Sequence, residues 1–157
     1  MMLDRGTYLV PTLVAPQGIL DAAEAGVRFP PAVLEKATGV IDDHRQSFRR
    51  AAAAGVRVAM GTDSGVSPHG RNLRELELMR QGGLSPEQVL TATTRNAAEL
   101  LGVADRLGTI EPGKRADLVL VDGDPFDVAS LPERIRGVYI DGRPAFDPAL
   151  EREGVPA

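Results

Sequence analysis

The 157-residue sequence contains no cysteine and no tryptophan, and aromatic residues make up only 4% of it. The absence of cysteine excludes disulfides, thiolate metal sites and a thiol nucleophile. The scarcity of aromatic rings argues against a stacking surface for single-stranded nucleic acid. A net charge of −4 provides no basic surface for nucleic acid either.

Long apolar runs are also missing. No segment approaches the roughly 20 apolar residues of a membrane-spanning helix, and the first residues lack the charged and apolar regions of a signal peptide. We therefore expect a cytoplasmic protein without membrane or nucleic-acid partners. The length is sufficient for one domain with a hydrophobic core.

The most informative segment is Gly-Thr-Asp-Ser-Gly at residues 61–65, which follows an apolar run at residues 56–60 that is typical of a buried strand. The glycines allow the backbone to turn and to approach another group closely. Reactive side chains of α/β proteins stand at the carboxyl ends of parallel strands, where a carboxylate can bind a metal or take a proton from water. Asp63 is therefore a candidate catalytic residue. The alternative is that it caps the next segment.

The region before Asp63 has the order strand, helix, strand. Residues 8–10 are apolar and predict a buried strand. Pro30 and Pro31 predict the start of a helix with one apolar face, and Gly55 predicts its end. Because the strand at residues 56–60 follows, the pattern favours a right-handed crossover in a parallel sheet.

The region after Asp63 is predicted to contain helices and then a small antiparallel β unit. Helices are expected over residues 73–80, after the capping-box residue Ser85 and from Asn96. From residue 108 onward, short strands are expected at residues 108–110, 116–121 and 138–140. The Pro112-Gly113 pair suits a type II turn, and Asp141-Gly142 predicts a hairpin.

Several other polar residues have plainer interpretations. Residues 108–115 have the spacing of a phosphate-binding loop, but Arg115 replaces the final serine or threonine and a strand follows, so we interpret them as a turn. His44 lies on the apolar face of its helix and is interpreted as a packed or capped histidine, with a ligand role as the less favoured alternative. Glu75 and Glu77 are interpreted as the surface and edge of a helix. His69 fits a functional and a merely exposed role equally.

Five segments follow one another in an order and spacing that are more specific than any of them alone. They are residues 61–64 (Gly-Thr-Asp-Ser), 69–76 (His-Gly-Arg-Asn-Leu-Arg-Glu-Leu), 83–86 (Gly-Leu-Ser-Pro), 92–98 and 107–119. Together they closely resemble the carboxyl-terminal part of the amidohydrolase superfamily. The best likeness is to its imidazolonepropionase-like and Xaa-Pro-dipeptidase-like branch, and it extends from Tyr8 to about Phe146.

The resemblance implies an α/β fold. Residues 1–107 would form the last two β/α units of a TIM-like (β/α)₈ amidohydrolase barrel, with residues 8–13 and 56–60 as its seventh and eighth strands. Residues 108–146 would form half of a small β-sandwich, and residues 147–157 a tail. Because a complete barrel takes about 250 residues, the resemblance implies an incomplete barrel and a fragment of a longer enzyme.

The resemblance also implies a chemistry. Asp63 would ligate a divalent metal, usually zinc, and act as general base in the hydrolysis of C–N bonds of amides, cyclic amides or small peptides. Thr12, His69 and Asn72 would contact the small-molecule substrate or support the metal ligands. The family's other ligands, a His-x-His pair, a lysine and two further histidines, have no counterpart here. We therefore expect the isolated chain to bind metal weakly and to be inactive.

A competing hypothesis is non-catalytic. The chain would then be an association module, or a truncated pseudo-enzyme, that docks on a separate amino-terminal chain. Two β/α units alone would leave an apolar sheet edge unpaired. Self-association is therefore a further expectation.

Overall fold

The computed structural model describes residues 1–65 and 70–148. The chain divides into two compact units, Met1–Thr93 and Thr94–Ala157. This division falls earlier in the chain than the boundary predicted after residue 107. No helix in the described part is long and apolar enough to cross a membrane.

The first unit contains four of the described helices. They are α1 (Val14–Glu24), α2 (Pro31–Ala53), α3 (Arg74–Gln81) and α4 (Pro86–Thr93). Helix α1 packs against α2 and α3, and α3 packs against α4. The apolar faces of these helices supply most of the buried core, including Phe48, Leu76, Met79 and Val89.

The two predicted strands of the first unit pair in parallel at a single bridge between Leu9 and Val58. The Leu9 amide donates to the Arg57 carbonyl at 2.8 Å, and the Ala59 amide donates to the Leu9 carbonyl at 3.0 Å. The predicted parallel neighbours are therefore present, although the pairing is short. Val58 and Ala59 are buried, as expected for a strand inside an α/β layer.

The strand predicted over residues 8–13 ends earlier than expected. Thr12 has a φ of +48°, which breaks the extended backbone. Leu13 is already the N-cap of α1, a helix that the sequence analysis missed. Pro16 and Gly18 inside this segment weaken its helical pattern, because both residues are poor helix formers.

The remaining helices of the first unit follow their sequence signals. Pro31 is the first residue of α2, and the chain turns at Gly55 with a φ of +78°. At the start of α4 the Gln88 amide donates to Ser85 Oγ at 3.1 Å, while the Ser85 amide donates to Gln88 Oε1 at 2.8 Å. This reciprocal pair is the predicted capping box.

The second unit contains α5 (Arg95–Leu100) and a three-stranded antiparallel sheet. Its strands are β1 (Leu118–Val121), β2 (Ile135–Ile140) and β3 (Arg143–Phe146), in the order β1-β2-β3. A short 3₁₀ helix, Leu131–Arg134, precedes β2. Asp141 and Gly142 both have positive φ between β2 and β3, as the predicted hairpin requires.

The strand predicted at residues 108–110 is absent, because this segment belongs to an irregular loop. The turn that follows it is present, with the Lys114 amide donating to the Glu111 carbonyl at 3.2 Å and Gly113 at a φ of +88°. Strand β1 follows this turn, so the phosphate-loop spacing leads into a strand and not a helix. Of the predicted tail, residues 149–157 lie outside the described residues.

Candidate active site

The ends of the two paired strands of the first unit lie side by side. A Cβ atom on Gly61 would stand 2.4 Å from Val10 Cγ1 and 3.8 Å from Thr12 Cγ2. The first distance is too short for a contact, so a larger residue at position 61 would require the Val10 side chain to move. Thr12 and Asp63 consequently follow neighbouring strand ends, at the same edge of the pair.

Asp63 occupies this edge with an exposed side chain and a φ of +50°. Left-handed backbone is uncommon for residues other than glycine, although aspartate tolerates it better than most. Helix α3 begins at Arg74 with Leu73 as its N-cap and no side-chain cap. The first three amides of α3 donate to the backbone carbonyls of residues 71–73, so they do not need the Asp63 carboxylate as a cap.

Thr12 shares the unusual backbone of Asp63, with a φ of +48° and a half-buried side chain. For a β-branched residue this conformation is strained, and it persists only where the surroundings enforce it. A strained residue of this kind is a reason to consider the strand end a candidate functional site.

The other two predicted site residues are less informative. Asn72 is exposed, and its carbonyl accepts the Glu75 amide at 3.1 Å in the turn that leads into α3. His69 lies outside the described residues, so its predicted role stays a prediction.

Glu75 is buried, so its interpretation as a helix-surface residue was wrong. Its side chain is 0% exposed, and its two oxygens accept separate backbone amides: Leu13 N to Oε1 at 2.8 Å and Val14 N to Oε2 at 2.7 Å. Burial raises the pKa of Glu75 to about 7, against the opposing effect of the two amide hydrogen bonds. Buried Leu78 and Met79 lie three and four residues further along the helix, a spacing that indicates one face and could have revealed this glutamate.

His44 agrees with its interpretation as a capped histidine. Its ring is half-buried, and Nε2 donates to the Pro11 carbonyl at 2.8 Å. Because Pro11 immediately precedes Thr12, this contact lies close to the candidate site. No local pattern in the sequence indicates that proximity.

The described residues contain no group of three or more histidine, cysteine, aspartate or glutamate side chains that could hold a metal ion. A catalytic zinc takes three protein ligands as a rule. Asp63 could supply one of them, and the side chains of the described part do not complete the set. The described residues by themselves therefore do not fit a catalytic zinc site.

The amidohydrolase family model matches residues 1–145, and the chain belongs to the amidohydrolase family. Members of this family are generally metal-dependent. The branch suggested by the sequence motifs is confirmed as well, because imidazolonepropionases and Xaa-Pro dipeptidases are among the relatives.

Three relatives illustrate the match. An imidazolonepropionase of Thermoplasma volcanium is 35% identical over 103 residues, which cover 60% of this chain and 24% of that protein. A 5-methylthioadenosine/S-adenosylhomocysteine deaminase of Desulforudis audaxviator is 43% identical over 139 residues, which cover 76% of this chain and 31% of that protein. The solved structure of a Xaa-Pro dipeptidase with methionine bound in its active site is 37% identical and has a TM-score of 0.82. The match covers 91% of this chain and 35% of that protein. The chain thus spans about a quarter to a third of the length of these relatives.

Proposed function

We propose that this chain is the carboxyl-terminal part of a metal-dependent amidohydrolase that hydrolyses C–N bonds of amides, cyclic amides or small peptides. The observation that carries the proposal is Asp63, an exposed carboxylate on left-handed backbone at the end of a parallel-paired strand. The family match across residues 1–145 supports the reaction class.

In this proposal Asp63 is one metal ligand and the general base. An exposed carboxylate at a strand end can accept a proton from water and pass it to a leaving nitrogen. Thr12 follows the neighbouring strand end, and His69 and Asn72 belong to the segment between Asp63 and α3. These three residues would contact the substrate or support the metal ligands, and the remaining ligands would come from another segment.

The names of the relatives favour a reaction class over a particular substrate. They include an imidazolonepropionase, a deaminase and a Xaa-Pro dipeptidase. What a deaminase and a dipeptidase share is the cleavage of a C–N bond. The substrate proposed here is therefore a small amide or peptide.

The test of Asp63 uses the complete enzyme, meaning this chain joined to the segment that supplies the missing ligands. Replacing Asp63 by Asn keeps the side chain's shape and removes its basicity, so we expect kcat to fall by roughly 10²–10⁴-fold. The matched control is Asp42→Asn, which removes an exposed carboxylate from α2 and should leave kcat unchanged. Turnover of Asp63→Asn within threefold of the parent at neutral pH would exclude Asp63 as the base.

The fragment proposal has its own test. The isolated 157-residue chain should hydrolyse neither amides nor Xaa-Pro dipeptides when zinc is added, because the described residues supply no complete ligand set. Turnover by the purified chain that disappears with a chelator would contradict the proposal.

A further inference from the structure

We propose that Glu75 and His44 are positioning residues that clamp the segment Pro11–Val14 and thereby hold Thr12 beside the strand end of Asp63. The role assigned to Thr12 rests on the proposed function. The clamp itself concerns only contacts within the first unit.

The two side chains bind the backbone of this segment before and after Thr12 in the sequence. His44, on α2, donates to the carbonyl of Pro11 at 2.8 Å. Glu75, on α3, accepts the amides of Leu13 and Val14 at 2.8 and 2.7 Å. Thr12 therefore has a polar anchor on the residue before it and on each of the two residues after it.

The segment needs anchors from elsewhere because it cannot supply them itself. Leu13 is the N-cap of α1, and its apolar side chain makes no capping bond. The first amides of a helix have no partner within the helix, and leaving them buried without one is unfavourable. Glu75 satisfies two of them from 61 and 62 positions further along the chain.

A purely stabilising cap would not require the geometry found at Thr12. Left-handed backbone is costly for a β-branched residue and has to be enforced by its surroundings. Here the enforced residue lies against Gly61, with Thr12 Cγ2 at 3.8 Å from the position of a Cβ atom there. The clamp thus fixes the relative placement of the two strand ends that carry Thr12 and Asp63.

The first test measures amide hydrogen exchange of the 157-residue chain by mass spectrometry, with fragmentation to resolve Leu13 and Val14. A glutamine at position 75 retains one acceptor oxygen and brings an amide group against the second N–H. We expect Glu75→Gln to accelerate exchange of at least one of these two amides by about tenfold or more. The matched control is Glu77→Gln on the same helix, whose carboxylate pairs with Arg80 at 2.7 Å and should leave both amides unchanged.

A second variant keeps the test decisive if Glu75→Gln does not fold. His44→Ala removes the anchor on Pro11 and should accelerate exchange at Leu13 and Val14 several-fold, as expected for a lost hydrogen bond. Equal exchange at these amides in the parent and in every folded variant would overturn the clamp.

The positioning role is tested in the complete enzyme. If Glu75 places Thr12, Glu75→Gln should lower kcat at least tenfold while KM changes less than threefold, and Glu77→Gln should change neither. Faster exchange with unchanged kcat would show that the clamp only stabilises the fold, which overturns the positioning role. If the parent enzyme itself has no activity, the proposed function fails, and the exchange experiment still decides the clamp.

Discussion

Two carboxylates near the paired strand ends have opposite environments. Asp63 is exposed at the edge, whereas Glu75 is buried and bonded to two backbone amides. Burial disfavours the charged form of a carboxyl group, so the pKa of Glu75 rises to about 7. Glu75 therefore changes charge close to neutral pH, on the helix that holds the Leu13 and Val14 amides next to Thr12.

This environment predicts a specific pH dependence of stability. The folded-state pKa of Glu75 lies above its ordinary value of 4.5, so the folded chain binds the proton more tightly than the unfolded chain does. The stabilisation is fully present below pH 4.5 and is lost as the pH rises to about 7. The shift corresponds to a loss of about 3 kcal/mol in the free energy of unfolding.

The measurement is urea unfolding at a series of pH values for the parent and for Glu75→Gln. Subtracting the two curves removes contributions from other titrating groups. We expect the parent to lose stability relative to the variant between pH 4.5 and 7, and the difference to level off above that range. A difference that does not change with pH would contradict a raised pKa at Glu75.

At the scale of elements, the helices of the first unit begin in different ways. Helix α2 begins with Pro31, and α4 begins with the reciprocal bonds of Ser85 and Gln88. At the start of α1, the amides of Leu13 and Val14 donate to the carboxylate of Glu75, which belongs to α3. The first two starts are local and could be predicted from neighbouring residues, whereas the third could not.

The capping box gives an element-scale prediction. Ser85→Ala removes the oxygen that accepts the Gln88 amide at 3.1 Å and should lower the free energy of unfolding by about 1 kcal/mol. The matched control is Ser47→Ala in the middle of α2, where alanine is the better helix former and no loss is expected. Equal stabilities of the two variants in urea unfolding would show that the capping box contributes nothing.

At the scale of the whole molecule, each unit leaves apolar surface open. In the sheet of the second unit, Val119, Leu120 and Ile140 are each at least 50% exposed. Among the described residues of the first unit, the two paired strands share one bridge, between Leu9 and Val58. Exposed apolar strands are templates for association with other chains.

We therefore expect the isolated chain to self-associate at micromolar concentration, as measured by size-exclusion chromatography with light scattering. Replacing Ile140 by Lys adds a charge to an exposed strand position and should lower the average mass. Val33→Lys, on the exposed side of α2, is the matched control and should have less effect. A monodisperse monomer with one sharp unfolding transition would contradict this expectation.

Local signals made much of the fold predictable. Proline at Pro31, the capping residues of α4 and the Asp141-Gly142 pair act on their immediate neighbours, so the sequence pattern contains the whole cause. Helix α1 was missed because its own residues favour helix weakly and its cap comes from Glu75. The prediction of a strand at residues 108–110 was wrong because a short segment that favours extended backbone does not by itself provide a pairing partner.

From the sequence alone we could predict the family, the parallel pairing of residues near Leu9 and Val58, and the place of Asp63 after a strand. Ordered motifs and the alternation of apolar runs with turns are properties of the chain before it folds. Three features could be seen only in the folded chain: the Leu13 and Val14 amides that Glu75 accepts, the bond from His44 to Pro11, and the left-handed backbone of Thr12. Burial and backbone partners depend on which distant segments pack together, and the 61 positions between Val14 and Glu75 leave no local trace of that contact.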